Sequence, residues 1–198
     1  MEPIILASGS LRRQEILKMM GIPFKVVIPE IPEELDDSNI SAEEFTEKLA
    51  ANKVKWVTKL ITATQEVPWV LGADTVISLN NKIYGKPSDM NQATQFLQEL
   101  SGKKHKVVTS LALYNGKLHD FTTRTSVTHV TFSKLSKEEI DWYVATDEWH
   151  NAAGGYRIQG FASYFIKKIE GTNSSVVGLP LFELYDMLKE QGYSLINE

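Results

Sequence analysis

Arg12 and Arg13 follow Ser8-Gly9-Ser10 directly after an apolar run, Ile4-Ile5-Leu6, and this order contradicts helix electrostatics. The apolar run through Ala7 reads as a short buried strand, and Leu11 to Met20 as a helix with Ile16, Leu17 and Met20 on one face. Ser10 then takes the N-cap, and both arginines fall in the first turn, where the positive end of the helix dipole disfavours cations. Two hydroxyls, a glycine, free backbone N–H groups and two guanidiniums converge there. An anion resolves the conflict, above all a phosphate chain. The alternative is a pair of solvated arginines beside an ordinary cap.

Other residues repeat the theme. Asp74 interrupts an apolar strand, Val70-Leu71-Gly72-Ala73 before it and Thr75-Val76-Ile77 after it. An unpaired charge is costly in such a place, so Asp74 either stands at the mouth of a cleft or meets a cation. Lys53 falls in a helical stripe of Phe45, Leu49, Trp56 and Leu60. It either snorkels to the rim or reaches an anion site. Glu33 and Glu34 follow Pro32 after the second strand, as metal-binding carboxylates or as part of a solvated acidic loop with Asp36 and Asp37. Lys86, in Gly-Lys-Pro, is a phosphate contact or plain surface. In Gly154-Gly155-Tyr156-Arg157-Ile158-Gln159-Gly160, Gln159 can offer a base edge a donor and an acceptor together, while Tyr156 stacks on a base or packs.

Together these residues describe a polyphosphate site: Arg12, Arg13, Lys53 and Lys86 as cations, Glu33 and Asp74 as acids, Gln159 as base reader. Two carboxylates with phosphate oxygens make a hard-ligand set for Mg²⁺ or Mn²⁺. No Ser or Thr stands in a motif with a base and an orienting group. Metal-assisted attack of water on phosphorus is the economical chemistry.

The elements that must position these groups read as follows. A second strand covers Phe24 to Ile28. Ser41-Ala42-Glu43-Glu44 opens a helix to about Ile61, and Trp69 to Leu79 is a strand that turns at Asn80-Asn81 into Lys82-Ile83-Tyr84. Asp89 to Gln92 opens a helix burying Phe96, Leu97 and Leu100. Val107 to Tyr114 and Leu118 to Phe132 form a hairpin through Asn115-Gly116. Ser136 caps a helix with Ile140, Tyr143 and Val144 inward. Tyr164 to Ile169 and Ser175 to Val177 are short strands, and Leu181 to Gln191 is a last helix with Leu184, Tyr185 and Leu188 on one face. Helices and strands alternate at both ends around a central hairpin, which predicts a mixed α/β sheet flanked by helices.

Composition narrows the classes. The chain has 198 residues, 42% hydrophobic and 23% charged, which suits one domain with a sizeable core. Its net charge of -4 argues against a nucleic-acid surface, so an anion site must be a local basic cluster. No cysteine is present, which rules out disulfides, thiolate metal sites and cysteine nucleophiles and suits a reducing compartment. No apolar run is long enough to span a bilayer, and the N-terminus lacks signal-peptide features. His105, His119, His129 and His150 never fall at helical metal spacing. No Walker A loop or nucleophile elbow occurs.

Six stretches together resemble the Maf family of nucleoside-triphosphate pyrophosphatases. They are Ser8-Gly9-Ser10-Leu11-Arg12-Arg13, Gly72-Ala73-Asp74-Thr75, Gly85-Lys86-Pro87, Leu100-Ser101-Gly102 with His105 beyond, Ile158-Gln159-Gly160 and Val177-Gly178-Leu179-Pro180. The resemblance covers nearly the whole chain and implies a single domain over 1–198. It implies an elongated, twisted mixed sheet flanked by helices, related to the inosine-triphosphate pyrophosphatases, with two lobes around a central cleft. It also implies hydrolysis of a nucleoside triphosphate to monophosphate and pyrophosphate with Mg²⁺ or Mn²⁺, often by a homodimer, and the lack of cysteine suits a cytoplasmic setting. Asp74 matches the family's proton acceptor, Glu33 its acidic residue after the second strand, and Lys53 and Lys86 its phosphate-contacting lysines. Arg12, Thr75 and Gln159 match positions linked to substrate choice; Ser8, Ser10 and Arg13 are expected to bind substrate from the first loop. Ile158-Gln159-Gly160 resembles the dTTP- and UTP-cleaving subfamily. The rival readings are a 7-methyl-GTP pyrophosphatase or a catalytically weak nucleotide-binding regulator of cell division. Three departures stand out: Asn151-Ala152 where the family usually has Asp-Lys, Leu11 where it commonly has Pro, and Arg157 where it commonly has Gly.

Overall fold

The fold is described from a computed structural model covering residues 1–32, 40–62 and 69–195. It begins with three parallel strands. β1 (Ile4–Ala7) lies between β2 (Phe24–Val26) and the first part of β3 (Trp69–Leu79). α1 (Leu11–Met19) joins β1 to β2, and α2 (Ala42–Thr62) precedes β3 on the other side of β1. The chain therefore leaves β1 toward one neighbour and returns beside the other. In an open α/β sheet, this reversal of strand order opens a crevice beyond the carboxyl ends of the strands.

The sheet continues through β4 (Lys82–Tyr84), β5 (Lys104–Asn115), β6 (Asp120–Phe132) and β7 (Ile166–Glu170). Among the described residues it has seven strands in the order β2-β1-β3-β5-β6-β7, with β4 paired to β3. β4 and β7 pair antiparallel, so the sheet is mixed, as the alternation of elements predicted. The remaining helices are α3 (Met90–Leu100), α4 (Lys137–Val144), α5 (Asn173–Val177) and α6 (Leu181–Glu190). No helix among the described residues is long and apolar enough to cross a membrane.

The chain forms two compact units, and β3, β5 and β6 each contribute residues to both. The first unit comprises Met1–Asp74, Thr109–Ser126 and Gly178–Glu198. In it, Ala50, Val54, Val57 and Ile61 of α2 pack on Ile5 and Ala7 of β1 and Val70 of β3. The Ser41 capping box forms in full: the Glu44 N–H donates to Ser41 Oγ and the Ser41 N–H to Glu44 Oε2, each at 3.1 Å. A buried hydroxyl chain ties α2 to β5 and β6, with Thr46 Oγ1 2.7 Å from Ser110 Oγ and Ser110 Oγ 2.8 Å from Thr125 Oγ1. The second unit comprises Thr75–Val108 and Val127–Val177. Its core gathers Phe96, Leu97 and Leu100 of α3, Val107 of β5, Val130 and Phe132 of β6, and Ile140 and Tyr143 of α4. Burying each of the large side chains contributes about 1.5–3 kcal/mol.

Several sequence expectations change. The inward face of α2 is rotated from the predicted stripe: Leu60 is 51% exposed and Trp56 only partly buried, while Ala50 and Val54 face the sheet. Leu49 and Lys53 keep their predicted inward places, and Ala50, Val54 and Val57 complete the buried face in place of Trp56 and Leu60. Asn115-Gly116 does not make a two-residue turn. Residues 116–119 form a longer turn, and Asn115 Oδ1 accepts from the N–H groups of Lys117 and Leu118. The predicted strand at Ser175 to Val177 is the C-terminal part of α5, whose first turn Thr172 Oγ1 supports by accepting from the Ser175 N–H at 3.4 Å. Tyr164 and Phe165 belong to a 3-10 helix, Phe161–Phe165, that precedes β7. Tyr185 is exposed, and Met187 joins Leu184 and Leu188 inward on α6.

Candidate active site

The two periodicities meet at Asp74. Side chains alternate along β3, so Val70, Gly72 and Asp74 share one face, the face that α2 covers. On α2, Ala50, Lys53, Val54 and Val57 line the facing side at helical spacing. A Cβ on Gly72 would lie 2.7 Å from the Ala50 carbonyl oxygen and 2.7 Å from Val54 Cγ2. Only a glycine admits the helix at this distance. The approach brings Lys53 Nζ to 2.6 Å from Asp74 Oδ1, with the two side chains 8% and 11% exposed. Lys53 therefore does not snorkel, and Asp74 meets the cation that its apolar setting required.

The first loop lies one strand away. Ala7 pairs with Gly72, so the end of β1 and Asp74 fall at the same edge of the parallel strands. Ser10 is the N-cap of α1, but its hydroxyl accepts no cap bond. Ser8 Oγ instead accepts from the Ser10 N–H at 3.3 Å and from Arg13 Nη1 at 3.0 Å. Arg13 is buried and also donates through Nε to the Gly178 carbonyl at 2.7 Å. It thus braces the loop against the chain that enters α6. Arg12 is partly buried, in a first turn that holds no acid. Ser8, Ser10, Arg12, Arg13, Lys53 and Asp74 all belong to the first unit.

Thr75, Lys86 and Gln159 belong to the second unit. Thr75 is partly buried and follows Asp74 onto the other face of β3. Lys86 is exposed in the loop after β4, next to buried Pro87. The Gly85 carbonyl accepts from the Gly154 N–H at 2.8 Å, which joins this loop to the glycine-rich segment. Gln159 is exposed at the tip of that segment. Tyr156 packs: it is buried, with its hydroxyl 2.8 Å from His105 Nε2. Burial pushes the Tyr156 hydroxyl pKa up and the His105 imidazole down to about 4, so this contact is neutral across the physiological range. Glu33 lies outside the described residues.

Sequence reading missed two groups. Tyr143 Oη accepts from the Arg157 N–H at 3.2 Å, and Glu148 Oε2 accepts from the Phe161 N–H at 2.9 Å. Both bonds join backbone to a side chain more than ten positions away, which leaves no local pattern to find. The Gly178 carbonyl, 165 positions from Arg13, is hidden for the same reason.

A divalent cation is compatible with this donor set. Among the described residues no three His, Cys, Asp or Glu side chains form a metal-binding group. Asp74 is a hard oxygen donor at the edge where the first loop meets β3, and Mg²⁺ is commonly held by one or two carboxylates with substrate phosphates completing its shell.

Known proteins resemble this chain in sequence and in fold. Residues 3–191 match the Maf-like protein family. The chain is 43% identical over 196 residues to a dTTP/UTP pyrophosphatase of Desulforamulus reducens, covering 99% of this chain and 100% of that protein. It is 42% identical over 189 residues to a dTTP/UTP pyrophosphatase of Alkaliphilus oremlandii, covering 96% of each. It is 40% identical over 197 residues to a dTTP/UTP pyrophosphatase of Symbiobacterium thermophilum, covering 100% of this chain and 98% of that one. Among solved structures, the Ham1 protein of Staphylococcus aureus aligns with a TM-score of 0.54 at 10% identity, over 96% of this chain and 100% of that chain. This last likeness is one of fold, and it agrees with the mixed sheet expected from the sequence.

Proposed function

The chain belongs to the Maf family, and from that premise we propose that it hydrolyses dTTP and UTP to the nucleoside monophosphate and pyrophosphate. Water attacks the α-phosphorus, the bond from that phosphorus to the α–β bridging oxygen breaks, and pyrophosphate leaves. The observation that carries this reading is the buried Lys53–Asp74 pair, one strand from a helix N-terminus with arginines in its first turn. Folding alone gives little reason to bury such a pair, whereas phosphoryl chemistry needs both a carboxylate and a cation.

In this reading Asp74 takes the proton from the attacking water, and Lys53 holds the carboxylate in place and lends positive charge to the phosphates. Arg13 fixes the first loop through Ser8 and Gly178. Ser8, Ser10 and the backbone N–H groups of α1 receive phosphate oxygens, and Arg12 and Lys86 neutralise the triphosphate and the leaving pyrophosphate. Thr75 and Gln159 select the nucleoside. Asp74, together with Glu33, would hold Mg²⁺ or Mn²⁺, which would polarise phosphoryl oxygens and offset their charge. The reading extends to a homodimer working in the cytoplasm.

The test is pyrophosphate release over dTTP, UTP, CTP, GTP, ATP and 7-methyl-GTP, with Mg²⁺ or Mn²⁺ and with EDTA. Metal-dependent turnover that ranks dTTP and UTP first is expected. Preference for 7-methyl-GTP moves the chain to that activity. Tight nucleotide binding without turnover makes it a regulator.

A further inference from the structure

The segment around Gln159 is held from outside itself. Its start is fixed where the Arg157 N–H meets Tyr143 Oη on α4. Its end is fixed where the Phe161 N–H meets Glu148 Oε2 in the turns after α4. Between these points the Gly160 N–H donates to the Arg157 carbonyl at 3.2 Å and closes a turn. Ile158 points inward at 7% exposed, and Gln159 is left facing out.

Gly160 and Glu148 are matched. A Cβ on residue 160 would lie 2.3 Å from both carboxylate oxygens of Glu148. The carboxylate therefore occupies the space that a side chain at 160 would need. The backbone of Gly160, with φ -114° and ψ -153°, lies outside the left-handed region that favours glycine, so the carboxylate rather than a positive φ calls for a glycine there. A methyl group there meets the far end of a flexible side chain. It would displace the carboxylate and break the bond to Phe161, since the three atoms nearest that position all belong to the Glu148 carboxyl group.

We propose that Glu148 is a positioning residue for nucleobase selection: seated against Gly160 and bonded to the Phe161 N–H, it fixes the turn that presents the Gln159 carboxamide to a pyrimidine edge. Glu148 itself does not touch the substrate. A carboxamide reads a base only if its donor and acceptor are both held in register, and small misplacements of such groups are expensive. The inference rests on the reading of Gln159 as the base-contacting residue.

A double-mutant cycle tests it, using dTTP, UTP and GTP turnover together with Tm. Glu148→Ala is expected to lower the preference for dTTP over GTP roughly tenfold, the scale of one hydrogen bond, mainly by raising KM for dTTP while kcat stays close to wild type. Glu148→Gln, which keeps an acceptor for Phe161, should restore most of the preference. Gly160→Ala should reproduce the Glu148→Ala defect, and Glu148→Ala/Gly160→Ala should be no worse than either single change. An unchanged dTTP-to-GTP ratio in Glu148→Ala, even with a lowered Tm, overturns the proposal. Multiplicative defects in the double variant overturn it as well. If Glu148→Ala does not fold, the contrast between Glu148→Gln and Gly160→Ala decides. Gln159→Ala is the separate control: an unchanged substrate ranking there removes the base-reading premise, whereas a changed ranking there with an inert Glu148→Ala refutes only the role of Glu148.

Discussion

Two lysine–carboxylate pairs in this chain have almost the same length and opposite consequences. Lys53 and Asp74 meet at 2.6 Å between α2 and β3 in the first unit. Lys82 and Glu99 meet at 2.7 Å between β4 and α3 in the second. The former pair is 8% and 11% exposed, the latter 48% and 29%. Distance therefore says little about what a pair does; the surroundings decide. A pair taken out of water gives up hydration worth several kcal/mol per ion, and mutual attraction only roughly restores it. A pair left in water gives up little and gains little. Stability has little to gain from the costly kind, which supports the proposed chemical role of the Lys53–Asp74 pair.

The largest expected effect separates activity from stability at the buried pair. Asp74→Asn should lower turnover of dTTP at least roughly 10²-fold, the scale of a lost general base. Near-full turnover would remove Asp74 from the mechanism. The next effect is thermodynamic. Lys53→Met leaves a buried carboxylate without its cation and should cost about 3–5 kcal/mol in urea unfolding, while Lys53→Met/Asp74→Leu should recover most of that loss and stay inactive. A double variant as unstable as the single would mean that the pair holds the fold together, and the contrast with Lys82–Glu99 would fail.

The comparison also explains what the sequence could disclose. Trp69–Leu79, Lys82–Tyr84 and the Ser41 capping box are legible because alternation, an Asn-Asn turn and a cap signature are local. Asn80 and Asn81 take φ of 51° and 64°, the left-handed values that such a turn demands. Asp74 was legible as an anomaly, a charge in an apolar strand, and so was Lys53, although the face around it was misjudged. What was illegible is the pairing. The contact of α2 with Gly72, the bond from Arg13 to Gly178, and the seat of Glu148 against Gly160 depend on where distant backbone passes. Periodicity along a single element carries no trace of that. Ser175 to Val177 reads as a strand for the related reason that two successive valines favour extended backbone, while the support that Thr172 gives the helical turn leaves no mark on the pattern.

The buried contact between His105 and Tyr156 extends the comparison to a neutral pair. The unfolded imidazole titrates near 6.5, and burial holds the folded one near 4. The unfolded chain therefore binds more protons between these values. The stability linked to His105 is whole above pH 6.5 and falls as the pH drops toward 4, by up to about 3 kcal/mol. His105→Gln should flatten unfolding free energy against pH across that window, by up to one proton's slope. An unchanged slope would mean that His105 is protonated in the fold.

The smallest effect belongs to the exposed pair. Glu99 is held near 2, first by the hydrogen bond from Lys82 and then by the one from Tyr84, so its stabilising share is present above the unfolded pKa of 4.5 and fades as pH falls toward 2. Most of the underlying attraction is screened, because water reaches both partners. Lys82→Ala should therefore cost less than about 1 kcal/mol at pH 7 and low salt, and still less near 1 M NaCl, where the screening length shrinks to about 3 Å. Tyr84 Oη donates to the same carboxylate at 2.5 Å from a largely buried ring, so its bond should survive both the mutation and the salt. If Lys82→Ala instead costs as much as Lys53→Met, burial is not what distinguishes the two pairs, and the chemical role assigned to Lys53–Asp74 loses its physical footing.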